Sequence, residues 1–176
     1  MNNNIIIRPV KTEDAEQYIK LNNLVWRFAY NHIFPEEVFI ERENNLDKKI
    51  EKFSTYAFND DTQMMYVAEY DKNIVGFISA KLISNYPHFA ELGYAELGAI
   101  YIHPDYQGLG LGSKFKNMFE MWAKENGATK YVIGVLKDNH KARMVYEKWG
   151  GKLDDYSQPF IKLGVGYAEV FYTFNL

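Results

Sequence analysis

The eight residues Gln107-Gly108-Leu109-Gly110-Leu111-Gly112-Ser113-Lys114 join an apolar, strand-like run from Ala95 to Ile102 to a run of helical period. In the latter, Phe115, Met118, Phe119 and Trp122 fall at i, i+3, i+4 and i+7. A chain with that junction must send a helix out directly after a buried strand, which points to an α/β fold. The glycines also constrain the chemistry. Without Cβ atoms the backbone can approach an oxyanion closely and can reach positive φ at little cost. The amides at the opening of the following helix then converge with the positive end of its dipole. A pyrophosphate is the ligand such a turn suits; a merely flexible strand-to-helix turn is the alternative reading of the three glycines.

Two other phosphate motifs do not fit. The dinucleotide fingerprint G-x-G-x-x-G, begun at Gly108, needs glycine at 113, where Ser113 stands, and the chain before it is not a βαβ unit. The Walker pattern begun at Gly108 needs glycine at 113, lysine at 114 and Ser or Thr after it, and Phe115 excludes it.

The rest of the chain supports a mixed sheet. Ile5-Ile6-Ile7 reads as a short strand, and Thr12-Glu13-Asp14 opens a helix from about Ala15 with an apolar stripe at Ile19, Leu21, Leu24, Val25 and Phe28. After Phe34-Pro35 a second helical stretch runs through Val38, Phe39, Leu46, Ile50 and Phe53, with the charged run Glu41 to Lys52 as its solvated outer side. Met65 to Ile83 is strand-like, broken by Asp71-Lys72-Asn73, which has the composition of a tight turn; Tyr86-Pro87-His88 closes that hairpin. The helix after the glycines spans about Gly112 to Asn126 and stops at Gly127. Then come a strand from Tyr131 to Leu136 and a helix from about Asn139 with Ala142, Val145, Tyr146 and Trp149 on one face. Two last strands, Lys152 to Tyr156 and Tyr167 to Phe174, flank the glycine hairpin Lys162-Leu163-Gly164-Val165-Gly166.

Composition narrows the function. At 176 residues, 47% of them hydrophobic, the chain can bury one sizeable core, so a single domain over residues 1–176 is expected. A formal charge of -3 and a pI near 5.8 offer no basic face, so no nucleic-acid partner is expected. The absence of cysteine excludes disulfides, thiolate metal sites and a cysteine nucleophile, and fits a reducing cytoplasm. His32, His88, His103 and His140 lack metal-ligand spacing, so no metal is expected. Met1-Asn2-Asn3-Asn4 lacks a basic leader region and no run approaches 18 apolar residues, so the expectation is a cytoplasmic protein with no membrane partner.

Taken together, these blocks resemble the GCN5-related N-acetyltransferase (GNAT) family. Its cofactor signature, Gln or Arg, two residues, Gly, one residue, Gly or Ala, is matched by Gln107-Gly108-Leu109-Gly110-Leu111-Gly112. The likeness continues in Ala99-Ile100-Tyr101-Ile102-His103-Pro104 before it, in Asn139-His140-Lys141-Ala142-Arg143 and Tyr146-Glu147-Lys148-Trp149-Gly150 after it, and in the opening Ile7-Arg8-Pro9. The resemblance implies a mixed, mostly antiparallel twisted sheet flanked by helices on both faces. It also implies acetyl-coenzyme A as acetyl donor, and transfer to a primary amine, on a small molecule or a peptide, by direct attack in a ternary complex. A non-catalytic acyl-coenzyme A binding module of the same fold is the alternative.

Residue by residue, the resemblance lays the pantetheine arm along Ile100, Tyr101 and Ile102 by backbone pairing, although Ile100 and Ile102 also read as core residues of a strand. It gives the pyrophosphate to the amides from Gly108 to Ser113, with Lys114 as electrostatic help or as an ordinary solvated lysine. Asn139 would hold the pantetheine arm, or else cap its helix. Tyr146, which periodicity alone places in the core, matches the family tyrosine that protonates the departing thiolate. Glu96 is the candidate base in this reading: alternation puts it on one face with Gly98, Ile100 and Ile102, and desolvation in an apolar strand would raise its pKa. A structural ion pair, or substrate orientation beside a water-mediated proton transfer, is the other reading of Glu96. Trp26, Tyr30, Phe34, Tyr94 and Tyr101 are candidate walls of the acceptor site, with Glu36, Glu37 or Glu91 attracting a cationic amine. Homodimers are frequent in the family, and the final strands offer an edge for one.

Overall fold

A computed structural model describes residues 5–55 and 60–176. The expectation attached to Met1 to Asn4 lies outside the described residues. Among the described residues seven strands form one sheet in the order β1-β2-β3-β4-β5-β7-β6, mostly antiparallel, accompanied by six α-helices. The strands are β1 (Ile6–Pro9), β2 (Gln63–Tyr70), β3 (Asn73–Lys81), β4 (Ala95–Ile102), β5 (Lys130–Leu136), β6 (Lys152–Lys162) and β7 (Val165–Asn175). The helices are α1 (Ala15–Tyr30), α2 (Glu36–Asn44), α3 (Leu46–Ser54), α4 (Pro87–Glu91), α5 (Leu111–Glu125) and α6 (His140–Lys148). The chain gathers into two compact units: residues up to Ala80 with Ala99–Met118, and Lys81–Gly98 with Phe119–Leu176.

In the first unit, β1 pairs antiparallel with β2, Ile6 opposite Glu69 and Pro9 opposite Tyr66. Arg8 there reaches both ways. Its Nε donates to Glu69 Oε2 at 2.8 Å, while its two terminal nitrogens donate to the two oxygens of Asp14 at 2.7 and 2.8 Å. The Lys11 amide adds a bond to Asp14 Oδ2 at 2.8 Å. Burial pushes the Asp14 carboxyl up, but the Arg8 fork and the Lys11 amide outweigh it and hold the group below its ordinary range. Behind this clamp α1 buries Ala15, Tyr18, Ile19, Leu21 and Val25. Tyr18, Ile19, Leu21 and Val25 cluster with Val67, Ile74 and Phe77, and Leu46, Ile50 and Phe53 pack on that cluster. The Tyr18 ring lies between Phe53 and Phe77, with centroids at 4.4 and 4.0 Å, and burial pushes its phenol up.

The β2–β3 turn is the two residues Asp71 and Lys72, with φ of 47° and 62°. Positive φ at both central positions is what a type I′ hairpin turn demands, and its twist matches that of the strands. The second helical stretch is two helices rather than the one expected, broken at Asn45. The reason is local. Asn45 leaves helical geometry with ψ of 13°, and its Nδ2 donates to Glu41 O at 2.8 Å, so the side chain competes for the carbonyl of the turn that would continue.

In the second unit, β4 pairs parallel with β5 through Ala95 opposite Tyr131 and Glu96 opposite Val132. β5 pairs with β7 along its whole length, from Lys130 opposite Asn175 to Leu136 opposite Glu169. Phe89, Val132 and Phe171 make the core cluster, with Tyr86, Tyr94 and Tyr156 against it. Phe89 belongs to α4, which replaces the simple turn expected at Tyr86-Pro87-His88. Pro87 at the first helical position starts this one-turn helix, and Phe89 is fully buried by it. β6 and β7 run to eleven residues each, longer than expected, and meet at Leu163-Gly164, again with φ positive at both positions (47° and 79°). β6 stands last in the strand order; its register slips between Leu153 and Ser157, and Pro159 sits within it opposite Ala168.

Helix α6 ends at Gly150, φ +88°, and Gly151 follows in a crowded place. A Cβ at Gly151 would stand 2.5 Å from Phe174 Cζ and 2.9 Å from the Tyr146 carbonyl oxygen. Gly151→Ala is therefore expected to cost about 1–3 kcal/mol of stability. In urea titration this reads as a lower midpoint at unchanged slope.

Candidate active site

The glycine loop belongs wholly to the first unit. The last strand bond at the end of β4 is His103 N–H to Val75 O at 2.8 Å, after which Pro104–Tyr106 makes a 3-10 turn. Gln107 closes that turn. Its backbone amide donates to Pro104 O and its Nε2 donates to Ile102 O at 3.1 Å, folding the first residue of the signature back onto the strand end. Gly108 and Gly110 then adopt φ of +75° and +81°, the left-handed region that penalises a side chain. A Cβ built on either meets nothing within 4 Å, so conformation rather than crowding requires glycine there, and the space before the loop is open.

Leu111 starts α5 and is buried, whereas Leu109, Ser113 and Lys114 are exposed. The Lys114 amide bonds to Gly110 O at 3.0 Å, so the amides of Leu111, Gly112 and Ser113 have no acceptor one turn earlier in the helix. Three such amides beside two left-handed glycines at the positive end of a fifteen-residue helix suit a diphosphate. Ile100, Tyr101 and Ile102, on the strand leading in, are half-buried.

Aromatic residues of the same unit meet at β4. The Tyr30 and Tyr101 hydroxyls are 3.3 Å apart, and Trp26 packs on Tyr30 and on Phe34, with centroids at 4.8 and 5.5 Å. Phe34 is buried, while Trp26, Tyr30 and Tyr101 are half-buried. Glu36 forks with Arg27 at 2.8 Å through both oxygens, and Arg27 also holds Glu43; Glu37 is exposed.

Arg42 departs from the solvated face expected of residues 41–52. It is 9% exposed, and its guanidinium lies 4.0 Å over the Trp26 ring. Burial lowers its pKa, against the pull of Tyr101, Glu41 and Tyr30. A signal for this was present. Val38, Phe39 and Arg42 fall at i, i+1 and i+4 on one buried helix face, so the arginine occupies a core position of its stripe.

The second unit holds the other candidates. Glu96 is 7% exposed, and its Oε2 accepts from Ser84 Oγ at 3.0 Å and from the Asn85 amide at 2.6 Å, while Oε1 accepts from Asn85 Nδ2 at 3.2 Å. The strand position is apolar as expected, but the carboxylate itself sits in a nest of three donors from Ser84 and Asn85, which sequence reasoning did not single out. Tyr94, half-buried, packs edge-on to Phe89 and lies beneath Lys130 Nζ at 4.4 Å; Glu91 is exposed.

Asn139 is buried and caps α6, its Oδ1 accepting from the Ala142 amide at 3.2 Å. Tyr146 is half-buried on α6, with Trp149 and Tyr172 at 5.9 and 5.8 Å between centroids. Its helix face is not the core stripe that periodicity suggested. Val145 is 42% exposed, Ala142 and Trp149 are half-buried, and no residue of α6 is fully buried. Among the described residues, no group of three or more acidic or histidine side chains is placed to hold a metal ion, and no helix is long and apolar enough to cross a membrane.

These features can be set against known proteins. Residues 20–151, from within α1 to just past α6, match the model of the Acetyltransferase (GNAT) family. The uncharacterized N-acetyltransferase YobR of Bacillus subtilis (strain 168) is 34% identical over 58 residues, a match that covers 33% of this chain and 24% of that protein. The chain thus aligns with about a quarter of that relative's length. Among solved structures, a PaiA N-acetyltransferase from Thermoplasma acidophilum in complex with coenzyme A superposes with a TM-score of 0.66 at 24% identity, over 94% of this chain and 97% of that one. A GCN5-related N-acetyltransferase from Rhodopseudomonas palustris gives a TM-score of 0.73 at 20% identity, over 99% and 97%. YncA of Salmonella typhimurium, with its cofactor acetyl-CoA, gives 0.64 at 18% identity, over 98% and 94%. With the family match running from α1 through the glycine loop to α6, this chain belongs to the acetyltransferase (GNAT) family.

Proposed function

We propose that this chain transfers the acetyl group of acetyl-coenzyme A to a primary amine by direct attack in a ternary complex. The observation that carries the reading is the loop Gln107 to Lys114. Its left-handed glycines and the amides of Leu111, Gly112 and Ser113 offer a diphosphate site at the mouth of α5. Membership of the family and the coenzyme A or acetyl-CoA held by two of the similar structures support the choice of ligand. When bound, acetyl-coenzyme A supplies an acetyl thioester.

In this reading Ile100, Tyr101 and Ile102 hold the pantetheine arm through their backbone, and Lys114 adds charge near the phosphates. Asn139 already uses Oδ1 as a helix cap, so its Nδ2 is the group that would reach the arm. Glu96 accepts the proton that the acceptor ammonium must shed before its lone pair can attack. Ser84 and Asn85 keep that carboxylate in one orientation. Tyr146 gives its hydroxyl proton to the departing thiolate, and a half-buried phenol packed on Trp149 and Tyr172 is well held for that step. Trp26 and Tyr30 wall the acceptor.

Calorimetric titration tests the first link. Micromolar binding of acetyl-coenzyme A and coenzyme A, with none of NADH, is the expected result, followed by thiol release when amines are added. Absence of binding removes the cofactor; binding without thiol release from a broad amine panel leaves an acyl-coenzyme A binding module instead.

A further inference from the structure

Arg42 is a buried cation that the proposed chemistry does not use. Its Nε has no hydrogen-bond partner, and its Nη2 makes one long bond, 3.4 Å, to Asn22 Oδ1. Arginine presents five donors, and removing such a head from water without satisfying them is costly. Packing on Trp26 compensates the charge in part. It leaves Nε, an in-plane donor, without an acceptor, and Nε with a terminal nitrogen forms the edge that matches a carboxylate two bonds at a time.

The surroundings say what would complete them. Arg42 lies on Trp26 and within electrostatic reach of Tyr30 and Tyr101, the residues whose hydroxyls meet at 3.3 Å. Tyr101 stands on β4 between Ile100 and Ile102, the strand assigned to the pantetheine arm. The charge of Glu41 acts on the guanidinium, yet Nε stays without an acceptor, and Glu41 takes a bond from Asn45 Nδ2 at 3.3 Å on its own Oε1. The neighbouring cation Arg27 is engaged by Glu36 and Glu43, so it does not compete for an anion. Asn23, tied by its Nδ2 to the Arg42 carbonyl at 3.4 Å, leaves a buried Oδ1 without a donor. Arg42 Nε, a buried donor without an acceptor, is the kind of group a carboxylate completes.

We infer that Arg42 reads an anionic group on the acceptor, so that the amine to be acetylated belongs to a molecule that also bears a carboxylate, such as an amino acid. The inference rests on Trp26 and Tyr30 walling the acceptor site. It reverses the selectivity that an acidic pI alone suggests. A polyamine would bring a second ammonium against a buried guanidinium, where like charges repel strongly.

Matched pairs test it: amino acids against their amides, identical in the reacting amine and differing only in the carboxylate. The protein should favour the acids in kcat/KM by about tenfold or more, the worth of one charge-assisted pair. In Arg42→Gln the ratio should fall toward one, and Arg42→Lys, which keeps charge but loses the planar fork, should fall between. Equal rates for acid and amide with the natural protein overturn the inference, as does a preference that survives Arg42→Gln. Calorimetric titration with the same pairs gives a readout independent of transfer. Saturable binding of acids over amides upholds Arg42 even if no acetyl group moves; equal binding or none overturns it. Should Arg42→Gln fail to fold, shown by loss of acetyl-coenzyme A binding, the natural protein's two comparisons still decide.

Discussion

Tyr146→Phe should lower kcat by about 10² to 10⁴-fold, the usual worth of a positioned general acid, while acetyl-coenzyme A binds as before. The substitution removes one oxygen and keeps the ring, so the contacts with Trp149 and Tyr172 persist. A stability loss is therefore not the expected route to lost turnover. Because the hydroxyl acts on the leaving group, KM for the amine should stay nearly constant. Unchanged kcat would take Tyr146 out of the mechanism and return it to the role of a packing residue. A fall in coenzyme A affinity equal to the fall in kcat would make it a binding residue instead.

Asp14→Ala should cost about 2–4 kcal/mol of folding stability, a large share of what a domain of this size possesses. Asp14 is 4% exposed and takes both terminal nitrogens of Arg8 together with the Lys11 amide. Its loss leaves a half-buried guanidinium with Glu69 and the Pro9 carbonyl and removes the anchor of the turn into α1. The effect belongs at the low end of the range for buried pairs, because Arg8 and Glu69 keep 24% side-chain exposure each. The pH dependence has a definite sign. The folded protein holds Asp14 below its ordinary value, so its stabilising contribution is complete above the unfolded pKa of about 3.9 and is lost as pH falls through the lower folded value. Thermal midpoints of the natural protein and the alanine variant should differ most near neutrality and converge in acid.

Where a pattern is local and long, the sequence carried it. The α5 stripe is buried at Leu111, Phe115, Phe119 and Ala123, close to the expected Phe115, Met118, Phe119 and Trp122, and the strand at Tyr131 to Leu136 differs by one residue. The family resemblance, resting on residues adjacent in the chain, was equally readable. Short or cooperative features were not. Helix α4 has five residues, too few to express a period, and the break at Asn45 uses neither Gly nor Pro. β6 and β7 extend beyond their expected ends because Pro159, Lys162 and Gly166 look like turn residues and acquire strand geometry only by pairing with each other's strand. The nest around Glu96 arises from two polar residues eleven and twelve positions away that face the carboxylate only after the loop before α4 has formed. Arg42 is a tertiary fact of the same kind. In a run of charges it looks solvated, and although its place on one helix face with Val38 and Phe39 hints at burial, the ring of Trp26 that receives it comes only with the fold.

The slip in β6 bears on how this protein behaves when crowded against its own copies. A strand at the end of a sheet templates open-ended stacking when it is long, flat and fully able to donate. Here the eleven-residue strand is interrupted where Asp154 turns its side chain to the Tyr156 amide at 2.9 Å, placing two consecutive acids, Asp154 and Asp155, in the irregular stretch. Pro159 removes one further donor from the regular part. What is left for another chain to copy is a few residues interrupted by a missing N–H, so the exposed side chains of Leu153 and Ile161 can remain at the surface of a concentrated solution without seeding fibres.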